Sequence, residues 1–136
     1  MTVKELMTSN IYEASGTVLI AGSCLPAMQP EGFAHLRSEA GCCFMLCLEQ
    51  THINMAITKL GGMLYTGQVH RMIFATVDES PHCVQMHYIQ NELRQMMALP
   101  DVVIENYVVV ENRPVRLTPE IILRSKKLSS LAEEKA

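Results

Sequence analysis

The sequence predicts an α/β fold, a single-domain three-layer sandwich around a small, mostly parallel sheet. Three observations carry that expectation. Residues 17–21 and 71–77 are short, nearly continuous apolar runs, the first rich in β-branched side chains and bounded by Gly16 and Gly22, as expected of strands covered on both faces. Longer segments with helical spacing follow these runs, so helix and strand alternate along the chain. The chain has 136 residues, of which 49% are hydrophobic and 18% charged, enough for one proper core.

The elements follow in order. Thr2 with Glu5 three residues later has the form of a capping box. Val3, Leu6, Met7 and Ile11 align as one apolar stripe, so a short N-terminal helix is expected before Gly16. The strand at 17–21 leads to Gly22-Ser23-Cys24 and a loop punctuated by Pro26 and Pro30. A short helix over 31–40 ends at Gly41. Residues 42–60 are read as a long helix stopped by Gly61-Gly62, because Cys43, Phe44, Cys47, Leu48, Thr51 and Met55 fall at helical spacing. A strand over 43–48 is the alternative; length and the Gly-Gly stop favour the helix.

A connector over 63–70 reaches the strand at 71–77. Ser80 and Pro81 then supply an N-cap and a first-turn residue. The helix they open covers 81–99, with Met86, Ile89, Leu93, Met96 and Met97 inward and Pro100 as its stop. Two strand-like pieces, 102–104 and 107–110, precede a hairpin loop at Glu111-Asn112-Arg113. An edge strand at 115–117 is marked by Pro114. Thr118-Pro119-Glu120 starts a last helix running to about residue 131, ahead of a frayed tail. The layout is Rossmann-like, with an antiparallel hairpin at one edge and residues 1–136 in one domain.

Composition narrows the function. Net charge is −3, the pI about 5.9, Trp is absent and aromatic residues are 5%, which argues against a nucleic-acid partner. No segment has the length to span a membrane. The five cysteines are odd in number, and Cys42, Cys43 and Cys47 cluster, so a reducing, cytoplasmic compartment is expected rather than a disulfide framework. Residues 19–24 faintly resemble a lipoprotein cleavage site, but Glu5 and Glu13 precede them and a signal peptide is not expected. Ten methionines suit irregular core gaps. The generous apolar content is compatible with a homo-oligomer, most simply a homodimer.

In open α/β sheets, ligands gather at the carboxyl ends of the strands. Cys24 follows the first strand and Cys83 the second, and the expected helix bearing Cys43 and Cys47 would start on the same edge. The first reading is therefore a zinc or iron–sulfur centre in a redox setting, with a redox partner protein. Cys24, Cys43, Cys47 and Cys83 would be its ligands, and His82 or His87 a substitute or supporting group. Against it, no C-x-x-C occurs, and cysteine is also simply a small, easily buried hydrophobe.

A second reading is a thiol-dependent enzyme or redox sensor. Cys83 would lie in the first turn of a helix, where the dipole favours a thiolate. His87 sits four residues on, Asp78 could orient an imidazole, and Cys24 could resolve a disulfide. The third is a small-molecule or anion pocket without covalent chemistry, using Ser23, Ser80 and His82 on the binding loops. Neither G-x-G-x-x-G nor a P-loop is present, which argues against nicotinamide or nucleoside triphosphate.

Overall fold

Val18, Leu19, Ile20 and Ala21 are all fully buried. Side chains of a strand alternate between its two faces, so such a run requires cover on both. A computed structural model supplies that cover. It describes the backbone of residues 3–78 and 81–126 and the side chains of 4–78 and 84–122. The chain runs β1 (Val3–Glu5), β2 (Gly16–Gly22), α1 (Leu25–Met28), α2 (Pro30–Ser38), β3 (Cys42–Leu46), α3 (Ile53–Tyr65) and β4 (Val69–Val77). It continues with α4 (Pro81–Met96), β5 (Val103–Val110), β6 (Arg113–Leu117) and α5 (Pro119–Lys126).

One six-stranded sheet has the order β1-β3-β2-β4-β5-β6. Every pairing is parallel except the antiparallel β5–β6 hairpin. From β2 the chain crosses through α1 and α2 to β3, then returns through α3 to β4 on the other side of β2. Val18, Ile20, Phe44, Met72 and Phe74 pack with Leu60 and Met63 of α3 and Met86 and Leu93 of α4. The opposite face sets Leu19, Ala21, Ile73 and Ala75 against Leu25, Phe33 and Leu36 of α1 and α2. The strand order reverses between β2 and β4, which is where open α/β sheets leave a crevice at their carboxyl edge.

Three expectations are corrected. The helix over 42–60 is instead β3, a polar turn, and α3. Cys43, Phe44, Met45 and Leu46 are all buried, and a run apolar at every position satisfies a helical period as readily as a strand. Gly61 and Gly62 do not stop a helix but lie inside α3. There a Cβ would fall in ordinary contact with Leu93 and Met97 at Gly61, and with Ile11 and Tyr12 at Gly62. The N-terminal helix is replaced by β1, which pairs with β3 at the sheet edge, and by two short 3-10 turns, Leu6–Thr8 and Ile11–Glu13. Finally, 102–110 is one strand rather than two pieces, with Glu105 and Asn106 inside it.

Candidate functional site at the carboxyl end of β4

Thr76, Asp78 and Val108 come from neighbouring strands, since Thr76 pairs with Val108 in the β4–β5 ladder. Together they floor a cavity of about 160 Å³. Val84 and His87 of α4 form one wall, and Leu117, Ile121 and Ile122 from the end of β6 and from α5 form another. Among the described side chains the lining is mainly aliphatic, with Val84 from α4 and Ile121 and Ile122 from α5.

Two polar groups of this cavity, Thr76 and His87, form a chain with Asn106 behind them. His87 is 3% exposed, Thr76 1% and Asn106 2%. Thr76 Oγ1 lies 2.7 Å from His87 Nε2, and His87 Nδ1 lies 2.9 Å from Asn106 Oδ1. An amide oxygen only accepts, so Nδ1 carries the proton and Nε2 offers its lone pair to the Thr76 hydroxyl. Burial lowers the His87 pKa from its ordinary 6.5, against a weaker opposing effect of the Asn106 hydrogen bond. The imidazole is therefore neutral at pH 7. A neutral base holding a hydroxyl proton on one side, and oriented by a fixed acceptor on the other, is chemically able to take that proton.

A second polar cluster occupies the opposite face of the sheet and is self-contained. Arg71 binds both carboxylate oxygens of Glu105, at 3.2 Å from Nη2 to Oε1 and more closely from Nε to Oε2. Tyr107 donates to the same carboxylate at 2.7 Å, and Arg116 stands 3.7 Å away. The Arg71 guanidinium holds the Glu105 carboxyl below the usual carboxylate range. No buried side-chain nitrogen or oxygen among the described residues lacks a partner. This cluster ties β4, β5 and β6 together.

The anticipated sulfur ligands do not all come together. Cys24 is exposed just after β2, and Cys47 is partly buried just after β3. These strand ends are neighbours: Gly22 pairs with Leu46, and the Ser23 N–H donates to the Leu46 carbonyl at 3.1 Å. Cys43 does not join them. It pairs with Leu19 inside the sheet, roughly 13 Å back along the strand from Cys47. Burial pushes its thiol pKa up to about 11, so it stays protonated. Cys42 is partly buried toward the amino end of β3. Among the described residues, no group of three or more His, Cys, Asp or Glu side chains is placed to hold a metal ion.

Of the other anticipated site residues, Ser23 is exposed at the strand edge and Asp78 is exposed at the cavity. Ser80 lies outside the described residues. His82 and Cys83 fall in the first turn of α4, and their side chains lie outside the described set. The sequence reading passed over Thr76 and Asn106. A signal existed: a polar residue inside an otherwise apolar strand must find a partner, and Asn106 stands in such a run.

A family model described as a Rossmann-like domain matches residues 13–136. The chain belongs to the Rossmann-like domain family. No curated protein and no solved structure matches it. β1 and the turn over Leu6–Thr8 precede the matched segment. Among the described residues, no helix is long and apolar enough to cross a membrane.

Proposed function

We propose that this protein binds a small, largely aliphatic molecule bearing one polar group. The single observation that supports it is the cavity at the end of β4, aliphatic on its walls and, among the described residues, polar at Thr76, Asp78 and His87. It stands on the strand edge where α/β sheets hold ligands. Its volume, about 160 Å³, is close to that of cavities that accept benzene, so the ligand has roughly four to six carbons. The test uses methyl-labelled protein and isobutyrate or isoamyl alcohol as probes. Saturable shifts confined to the methyls of Val84, Val108 and Ile122, abolished in Val84→Phe, are expected. Scattered or non-saturating shifts would defeat the reading.

A second reading, a metal centre, is favoured by one observation: Cys24 and Cys47 follow strands whose ends are hydrogen-bonded neighbours. With Cys83 from the first turn of α4 they would offer three thiolates to zinc or an iron–sulfur cluster, and His82 would complete the set. Cys43 has no part in it. Anaerobic purification followed by an absorption spectrum and a metal assay decides the matter. Stoichiometric zinc, or brown protein with iron and sulfide, supports the centre; colourless, metal-free protein removes it.

A further inference from the structure

We propose that Thr76 is a nucleophile, activated by His87 and oriented through Asn106, and that the cavity holds the acyl group of a small ester or thioester. The proposal rests on the cavity reading above and adds a reaction to it. Three elements are needed to assemble the relay: Thr76 from β4, His87 from α4 and Asn106 from β5. The distances, 2.7 Å and 2.9 Å, are those of a working nucleophile–base–orienter series. Two of the three groups line the cavity; the third, Asn106, stands behind the imidazole. A network serving only to pin α4 to the sheet has no reason to place its hydroxyl and its base at a cavity wall.

The step balances without a cofactor. Thr76 Oγ1 attacks the carbonyl carbon while its proton passes to His87 Nε2. The tetrahedral intermediate collapses, the bond to the leaving oxygen or sulfur breaks, and that atom takes the proton from Nε2. Water repeats the sequence on the acyl-threonine, giving the carboxylic acid and regenerating the Thr76 hydroxyl. Asn106 touches only the imidazole and is a positioning residue. Around His87, β4 presents Thr76 and Asp78, β5 presents Asn106 and Val108, and α5 presents Ile121 and Ile122. Asp78 is the one other titratable group among the described side chains lining the cavity.

The experiment incubates the full chain with p-nitrophenyl isobutyrate. Nitrophenolate release is followed, and the protein is mapped by mass spectrometry for an isobutyryl group. Acylation at Thr76 is expected. It should persist in Thr76→Ser, vanish in Thr76→Val, and slow at least about 100-fold in His87→Gln. Asn106→Asp should move the acid limb of the pH–rate profile to higher pH, because a carboxylate facing Nδ1 raises the pKa of the base; a merely structural role would not move it. Isobutyrate binding is measured separately, by methyl shifts in the parent protein. If isobutyrate binds but Thr76 is never acylated, the relay is only a clamp and the proposal falls while the cavity reading stands. An adduct on Cys24, Cys47 or Cys83 instead also overturns it. Failure of both binding and acylation overturns both readings.

Discussion

Lys59 shows how one side chain can hold an irregular segment. Its Nζ donates to three backbone carbonyls: Leu6 at 3.1 Å, Met7 at 2.8 Å and Ser9 at 3.1 Å. Short 3-10 turns leave such oxygens without regular partners, and the ammonium has three donors to match. Lys59→Met keeps the aliphatic stem and removes the charge. It is expected to lower the unfolding free energy by about 1–3 kcal/mol, read from urea denaturation. A midpoint unchanged from the parent would show these contacts to be dispensable.

His87 makes a residue-scale prediction of its own. Its pKa is lower in the folded protein than its ordinary 6.5. Below pH 6.5, the unfolded chain binds a proton that the folded one refuses. The stabilisation is therefore complete above that pH and is lost as pH falls through 6.5 toward the folded value. The slope can reach about 1.4 kcal/mol per pH unit. In His87→Gln the stability-versus-pH curve should lose this component below pH 6.5. Parallel curves for the two proteins would contradict the buried neutral imidazole.

The β5–β6 hairpin and α2 are joined at the level of elements. Glu111 and Asn112 have φ values of +52° and +60°, as a two-residue type I′ turn requires. Asn112 then reaches α2: its Oδ1 accepts from the N–H of Glu31 at 3.1 Å and of Gly32 at 3.4 Å, and its own N–H donates to Gln29 Oε1 at 2.7 Å. A helix start is thus capped from the far end of the chain. Gly32 permits the approach, because a Cβ there would collide with Val109 Cγ1 and lie 3.1 Å from the Asn112 carbonyl. Gly32→Ala should destabilise by about 1–3 kcal/mol, while Gly41→Ala, with its nearest neighbour 4.0 Å away, should change little. Equal thermal shifts for the two would refute this account. Glu111→Gly should instead raise stability by roughly 1 kcal/mol, since a non-glycine residue is strained at positive φ.

For the whole molecule, parallel pairing on both sides distinguishes the centre of the sheet from its rims. β2 lies between β3 and β4, and β4 between β2 and β5, whereas β1 and β6 each have one partner. β1 is also only three residues long. Hydrogen exchange should be slowest at the amides of β2 and β4, approaching the rate set by global unfolding, and faster in β1 and β6. Uniform protection across the sheet would count against this order. The cavity lies between β4, part of this rigid centre, and α5, so a ligand bridging them should slow exchange in α5.

The legible part of the fold was local. β2, β4, α4 and the β5–β6 hairpin announce themselves through continuous apolar runs, helical spacing and turn residues within a few positions of one another. Asp78 and His87 could likewise be placed near one another from a strand end and a helix start. β3 could not be separated from a helix, because an all-apolar run fits both periods and only its pairing with β1 and β2 decides between them. That decision took Cys43 out of the proposed sulfur cluster and into the core. The Thr76–His87–Asn106 relay depends on the register of β4 against β5, set by hydrogen bonds between segments some thirty residues apart in order-of-magnitude terms, about one βαβ unit. Sequence alone determined the extended runs of β2 and β4, the helix α4 and the β5–β6 turn; the tertiary structure decided β1 and β3 and which polar groups meet, because these depend on strand pairing, register and helix face rather than on spacing along the chain.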